Sequence, residues 1–185
     1  MLRFLSVLTL SFFVTFPVLA KDWNVVSDQS KLSFIATQAG AEFEGGFNKF
    51  SSDISFDPEN LAESHVNIII DVKSVDTKSP DRDSNIVSKD WFDAATYPEA
   101  SFVTKKIALN PEQGGYIADA VLTMRGVAQD VSMPFSVDIT GEKAHAKGRL
   151  TVKRNDFGIG QGQWVATNII GDDVVIFFDL MAEAK

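Results

Sequence analysis

The stretch DRDSNIVSKDWFDAATYPEASF, residues 81–102, decides the fold, because it holds the one helical pattern in a chain otherwise patterned for strands. Residues 82–89 contain neither Gly nor Pro, and they place Ile86 and Val87 between polar positions, as a short amphipathic helix does. The Tyr97-Pro98 pair then requires an extended backbone. On both sides of this stretch, apolar and polar residues alternate with a period of two. The sequence therefore predicts an all-β chain with one short helix.

The alternation predicts about eight to nine strands along the chain. The alternation is strictest in the strand that contains Pro134. A proline within a strand indicates an edge strand or a bulge at that point. Residues 23–27 and 31–37 are predicted to form a strand pair around residues 28–29, and residues 40–57 form two strands or one long strand bent at a bulge. The apolar faces of these strands must meet each other. A closed antiparallel barrel and a two-sheet sandwich both achieve this.

The first 20 residues have the pattern of a cleaved leader. Arg3 supplies a positive start, residues 4–16 are almost all apolar, and residues 17–20 offer small side chains to a signal peptidase. The apolar run is shorter than the ~20 residues that a spanning helix needs, so a retained anchor is the less favoured alternative. We therefore expect a signal peptide over residues 1–20 and one domain over residues 21–185. The expected location is the bacterial periplasm, with full export as an alternative and no stable membrane insertion after cleavage.

The composition narrows the function classes. A net charge of −8 gives no electrostatic reason to bind nucleic acid, and the absence of cysteine excludes disulfides, thiolate catalysis, iron–sulfur ligation and covalent haem. The two histidines, His65 and His145, fall on the outward side of separate strands and suggest no metal site. Residues 158–162, GIGQG, lack the strand–helix context of a dinucleotide loop. No nucleophile motif or marked carboxylate pair is present, so the sequence predicts no catalytic residue, metal or cofactor.

Three short sequence motifs resemble those of a known family. They are RD and DWFD followed by YP within residues 82–98, LTMRGV at 122–127 and KRNDFG at 153–158. With them, nearly the whole mature chain resembles the YceI-like family of secreted, lipocalin-like proteins. The resemblance implies a single antiparallel β-barrel of about eight strands, with the helix over one end and a polyisoprenoid or similar amphiphile inside. It favours the barrel over the sandwich, and a cavity over the solid core that apolar strand faces alone indicate.

A barrel of this kind is lined by the inward side chains of its strands. The predicted lining comprises Phe34, Ala36, Phe43, Phe47, Phe56, Ile68, Ile70, Phe102, Tyr116, Ala118, Ala120, Phe135, Val137, Gly148, Leu150, Ile176 and Phe178. About eight strands enclose just enough space for one small ligand, and its chain is expected to run past the Ala and Gly positions. In a solid core, these small residues would instead face large ones and leave no space.

A second set of residues belongs to these family-like sequence motifs and is predicted to form the rim of the barrel: Arg82, Asp83, Trp91, Arg125, Arg154, Asp156 and Phe157. One or more of the three arginines is expected to bind an anionic or hydroxyl head group of the ligand. In the alternative interpretation, these arginines pair with aspartates and hold the loops in place.

Together these features predict a periplasmic binding or carrier protein for a long apolar amphiphile, such as a polyisoprenoid, a quinone tail or a fatty amide. The alternative is an interaction module with a solid core, which acts on a membrane redox or stress-response partner. Trp23, Trp91 and Trp164 would then be its exposed anchors. The sequence leaves open whether the chain is a monomer or a homodimer.

Overall fold

A computed structural model describes residues 20–185, so the predicted leader lies outside the described residues except for its last position. Among residues 20–185, no helix is long and apolar enough to cross a membrane. The same range contains one α-helix, α1 (Pro80–Ile86), and eleven strands: β1 (Asp22–Val25), β2 (Lys31–Gln38), β3 (Ala41–Phe47), β4 (Phe50–Ser55), β5 (His65–Asp71), β6 (Val75–Asp76), β7 (Glu99–Leu109), β8 (Tyr116–Met124), β9 (Val127–Thr140), β10 (Lys143–Lys153) and β11 (Asp173–Ala184).

The strands form one closed antiparallel barrel. β1 and β2 lie end to end, interrupted by the turn Ser27–Gln29, and both pair with β11. β3 and β4 also lie end to end and pair with β2 and β1, while β6 and β5 continue the sheet beside them. Because these three pairs of short strands act as three long ones, the barrel has eight strands. The all-β barrel prediction is thus confirmed, whereas the predicted pairing of residues 23–27 with residues 31–37 is wrong.

The helix lies slightly earlier in the chain than its predicted position at residues 82–89. It begins at Pro80, because the fixed backbone angle of proline suits the first turn of a helix, where no N–H donor is needed. The Asp83 carboxylate accepts hydrogen bonds from the Thr77 N–H at 2.8 Å and the Thr77 hydroxyl at 2.6 Å. These bonds attach α1 to the segment that leaves β6. Turns follow the helix from Val87 onward.

One end of the barrel is closed by packed side chains. The β7–β8 and β9–β10 hairpins and the last residues of β11 meet there. The Phe56 and Tyr116 rings lie 5.1 Å apart, and the Tyr116 and Phe135 rings lie 5.4 Å apart. Trp23 lies beneath them, and its indole N–H donates to the Phe56 carbonyl at 3.0 Å. We call this the closed end.

At the opposite end lie α1, the β2–β3 and β8–β9 hairpins, and residues 154–172 between β10 and β11. We call this the open end. Between the two ends, the β9–β10 pairing stops at Phe135 and Gly148, next to Pro134, which has no N–H to donate. The two strands then separate, and the buried Phe157 ring packs between them. At Pro134, β9 is therefore a local edge on its β10 side, as predicted, while it stays paired with Ile117 of β8 on the other side.

Candidate ligand cavity

The barrel encloses a cavity of about 400 Å³. Its wall reaches from Trp23 and Ala182 near the closed end to Val174 and Ile170 at the open end. Between Val174 and Ala182, β11 rises by about 26 Å along the strand at ~3.3 Å per residue. With the usual strand tilt of ~40°, the cavity is about 20 Å deep along the barrel axis. The cavity is therefore a narrow pocket that is closed at one end.

The cavity wall is almost entirely apolar and contains most of the predicted lining residues. From that set, the wall includes Phe34, Ala36, Phe43, Phe47, Phe56, Ile68, Ile70, Phe102, Phe135, Val137, Leu150, Ile176 and Phe178. The alternation of the strands placed these side chains inward correctly because successive residues of a strand point to opposite faces. Whether these residues contact a ligand stays a prediction.

Four predicted lining residues lie outside the wall. Tyr116 and Ala118 belong to the packed cluster at the closed end, and Ala120 is buried with about 1% of its surface exposed. Gly148 is covered by the ring of Phe178, because a Cβ atom on this glycine would lie only 2.4 Å from the Phe178 Cε1 atom. Gly148 therefore makes room for the ring of Phe178, whereas Ala118 and Ala120 are buried outside the cavity wall.

The wall also contains apolar side chains from outside the strands. They are Ile86 on α1, Phe92 in the turns after it, and Ile159 and Ile170 in the segment before β11. Strand alternation gives no information on such residues. The only sequence signal was their apolar character within otherwise polar text.

The mouth of the cavity has polar side chains on its α1 side. Ser79, Asp81, Arg82 and Asn85 all line it there. The Arg82 guanidinium lies 3.9 Å from the centre of the Phe43 ring, a cation–π contact.

Arg82 keeps binding capacity at this position. Its Nε donates to the Gln38 side-chain oxygen at 3.2 Å, and its Nη1 donates to the Thr77 carbonyl at 3.3 Å. Among residues 20–185, no carboxylate forms a salt bridge with it. The Arg82 charge therefore stands at the mouth without an acidic partner in the described part of the chain.

Arg154 also reaches the cavity wall, but its hydrogen bonds are made within the protein. Its side chain is about 3% exposed and donates to the carbonyl oxygens of Gly171, Ile159, Ala166 and Ile170 at 2.9–3.3 Å. Its Nη1 also reaches the neighbouring Asn155 side chain at 3.2 Å. Burial lowers the pKa of the Arg154 guanidinium, which nevertheless stays protonated at neutral pH. The geometry thus favours the interpretation that Arg154 holds the segment before β11 in place.

Of the other predicted rim residues, one lines the cavity and the rest lie in the loops around its mouth. Trp91 is in the wall, where its ring lies 5.7 Å from the Trp164 ring. Asp83, Arg125, Asp156 and Phe157 are outside the wall. The Nη2 of Arg125 donates to the Lys89 carbonyl at 3.0 Å, and the Asp156 carbonyl accepts from the Gln129 side chain at 3.2 Å. These contacts hold the loops of the open end together, as the alternative interpretation expected, although the partners are carbonyls rather than aspartates.

Comparisons with known proteins agree with this architecture. The crystal structure of Burkholderia cenocepacia BcnA superposes with a TM-score of 0.81 at 38% identity, and the alignment covers 85% of this chain and 99% of that one. A polyisoprenoid binding domain from Saccharophagus degradans superposes with a TM-score of 0.68 over 91% of this chain and all of that one. Because its identity is only 19%, this second likeness concerns the fold alone.

Sequence comparison identifies the family. A UPF0312 protein of Vibrio parahaemolyticus is 32% identical over 137 residues, which cover 70% of this chain and 72% of that protein. The sequence pattern of the YceI-like domain matches residues 23–182, almost all of the chain that the structure describes. The chain therefore belongs to the YceI-like domain family.

Proposed function

We propose that this protein is a periplasmic carrier that holds a long apolar molecule with one polar end. The observation that carries the proposal is the blind cavity, about 400 Å³ in volume, with an apolar wall and its polar side chains gathered at the mouth. Ligand sites in proteins have volumes of roughly 300–1,000 Å³ and combine apolar walls with a few placed polar groups. A carrier has a physical purpose here, because long apolar molecules are almost insoluble in water.

The shape of the cavity selects an elongated ligand. A depth of about 20 Å along a barrel of eight strands suits a single chain better than a compact ring system. Polyisoprenoids, quinone tails and fatty amides all have this form. The Saccharophagus degradans domain is named for polyisoprenoid binding, but it shares too little sequence to choose among these classes for this chain. The choice of an elongated apolar ligand therefore rests on the cavity itself.

Arg82 supports a polar end at the mouth. Its guanidinium is held by Gln38, Thr77 and the Phe43 ring, and it has no carboxylate partner among the described residues. A guanidinium offers five N–H donors in a planar fork, which suits a carboxylate, a phosphate or several hydroxyls. With its tail in the cavity, a ligand would place such a head next to Arg82. We therefore infer an anionic or hydroxylated head group.

The same observations argue for binding rather than catalysis. A solid-core interaction module needs no cavity, and the arrangement of side chains in the wall offers no nucleophile next to a base. Retention of the ligand, with no covalent step, is the activity that the geometry supports.

The first experiment is organic extraction of the purified protein, followed by mass spectrometry of the extract. We expect an elongated lipid in a near-stoichiometric amount. If protein purified from its own host and from a heterologous host carries no such lipid, and the delipidated protein binds none from solution, the carrier function is wrong.

The second experiment tests the head group with Arg82→Gln and with two probes, hexadecanoate and hexadecane, which share a tail. A charge-assisted hydrogen bond contributes about 1.5–3 kcal/mol, so the variant is expected to bind hexadecanoate about 10- to 150-fold more weakly. Binding of hexadecane should not change. Arg149→Gln is the matched control, because Arg149 lies on the outer face against Phe177. Equal losses for both probes, or for both variants, would contradict a role of Arg82 in head-group binding.

A further inference from the structure

The mouth of the cavity has two different sides. On one side, α1 presents Asp81, Arg82 and Asn85. The rest of the mouth is formed by the β2–β3 hairpin, residues 38–41, and the loop over residues 162–170, which we together call the uncharged rim. Arg82 contacts this rim through its hydrogen bond to the Gln38 side chain at 3.2 Å. The two parts are joined by hydrogen bonds from the Ala39 N–H to the Ile169 carbonyl at 2.6 Å and from the Gly171 N–H to the Thr37 carbonyl at 2.9 Å. The uncharged rim is therefore one continuous surface.

This rim differs in composition from the rest of the chain. Its two parts, QAGA at residues 38–41 and GQWVATNII at residues 162–170, contain no charged side chain, although 23% of the whole chain is charged. A water-exposed loop normally has no reason to avoid charge over such a length. The absence of charge therefore suggests that the loop contacts a surface on which charged side chains would be unfavourable.

The rim also exposes large apolar side chains. About 52% of Val165 and 53% of Ile169 is accessible to solvent, and the Trp164 ring between this loop and Trp91 borders the mouth. The loop is not loose, because the buried Arg154 binds the carbonyl groups of Ala166 and Ile170 on either side of this tip. The fold thus holds two exposed apolar side chains in fixed positions beside the opening of an apolar cavity.

We propose that the uncharged rim docks on the interfacial layer of a phospholipid bilayer, with the cavity mouth facing the membrane. The inference rests on the proposed function, since an insoluble ligand has to pass between a membrane and the barrel without crossing water. Tryptophan is enriched at the membrane interface, and the apolar side chains of interfacial segments insert at the boundary between head groups and acyl chains. An uncharged rim suits an electrically neutral, zwitterionic surface, and the net charge of −8 opposes binding to anionic lipid.

A second copy of this chain is a poorer occupant of the rim. A stable protein interface buries about 800 Å² on each partner, which two half-exposed aliphatic side chains and a hairpin tip do not offer. A bilayer needs no matching partner surface, because insertion of a few apolar side chains is enough for reversible docking.

The test is sedimentation of the delipidated protein with phosphatidylcholine vesicles. We compare the wild type with the double variant Val165→Ser/Ile169→Ser, which should bind the vesicles roughly tenfold more weakly because it loses most of the apolar surface available for insertion. The matched control is Leu109→Ser. Leu109 is the more exposed side chain, at about 66%, but it lies at the closed end, so its loss should not change vesicle binding. All chains share one N-terminus, so any contribution of residues 1–19 cancels.

Several outcomes would overturn the docking proposal. It is wrong if the wild type does not bind phosphatidylcholine vesicles, if the control variant loses binding as much as the rim variant does, or if binding needs anionic phosphatidylglycerol and disappears in salt. It is also wrong if light scattering shows a wild-type dimer that the rim variant lacks, because the rim would then join two copies. Thermal unfolding at the same temperature in all three chains shows that the changes spare the fold.

Failure of docking and failure of the carrier function give different results. A chain that yields an elongated lipid on extraction but does not bind vesicles refutes docking alone. A chain that binds vesicles through the rim but holds no lipid refutes the carrier function alone.

Discussion

Filling the inner part of the cavity should weaken the binding of long ligands without weakening the fold. Ala146 lies in the cavity wall on β10, opposite Val137 of β9 and Leu180 of β11, which line the cavity too. A phenylalanine at this position adds six ring carbons to the space near the closed end. The ring should displace a similar number of ligand carbons. At ~0.3 kcal/mol for each ligand atom, Ala146→Phe should reduce the binding free energy by about 2 kcal/mol, or about 30-fold in Kd.

The assay is a titration of the delipidated protein with n-alkyl carboxylates of increasing chain length. The wild type should gain affinity with each added carbon until the tail reaches the closed end. Ala146→Phe should follow the same curve for short chains and then stop gaining earlier. The reasoning is refuted if the variant binds the longest chain as tightly as the wild type does, or if it loses the same factor at every chain length.

The matched control is Ala118→Phe, at a similarly small residue that is about 4% exposed within the packed cluster of the closed end. Overpacking such a site costs about 1–3 kcal/mol in the free energy of unfolding. Ala146→Phe should leave that free energy unchanged or slightly higher, because the new ring enters existing space. If the two variants destabilise the protein equally, Ala146 faces no usable cavity.

Three further substitutions and one mass measurement test other parts of the chain. Arg154→Met should lower the free energy of unfolding by about 3–5 kcal/mol in urea titrations, since it leaves several buried carbonyls without donors; a loss below about 1 kcal/mol would show that the loop does not depend on this residue. The His145 ring and Lys147 hold the pKa of Asp179 below its usual value, so the stabilisation from this carboxylate is complete above pH ~4 and is lost as pH falls through the lowered pKa. Asp179→Asn should therefore remove a small part, about 0.2–1 kcal/mol, of the acid dependence measured between pH 2 and 6, and an unchanged profile would contradict this. Gly45→Ala should cost about 1–3 kcal/mol, because its Cβ would lie 2.4 Å from the Phe34 ring, and neutral behaviour in thermal unfolding would contradict the packing. The intact mass of protein from the periplasmic fraction should lack residues 1–20, and a mass that includes them would contradict leader cleavage.

The period of the sequence predicted which strand side chains point inward, because that property is local to each strand. It did not predict what an inward glycine or alanine faces. Gly148 pairs with Phe178 across β10 and β11, and Gly45 pairs with Phe34 across β3 and β2. Which residues become partners depends on the register between strands, and the register is set by the whole barrel rather than by either segment. Gly148 therefore lies outside the cavity wall despite its predicted inward position, as do Ala118 and Ala120, and contact of these residues with a ligand stays a prediction.

The rim was harder to predict than the wall. The family-like sequence motifs identified the three arginines of the open end, and all three arginines make contacts within that end. Sequence alone did not show that the Arg154 donors end on backbone carbonyls of residues 159–171, whereas Arg82 is left without an acidic partner in the described chain. Those partners come from irregular loops, where no periodicity relates sequence to position. Pro80 could have indicated the start of α1, because proline is favoured in the first turn of a helix.

The closed end has a kinetic consequence. Since Phe56, Tyr116 and Phe135 pack across it, nothing can pass through the barrel from one side to the other. A bound chain must leave by the path on which it arrived, in the reverse order, so that the group nearest the mouth is always the last to arrive and the first to depart. The slow step is then the withdrawal of the tail, whose duration grows with its length. Ligands that differ only in tail length should arrive at similar rates and differ chiefly in residence time.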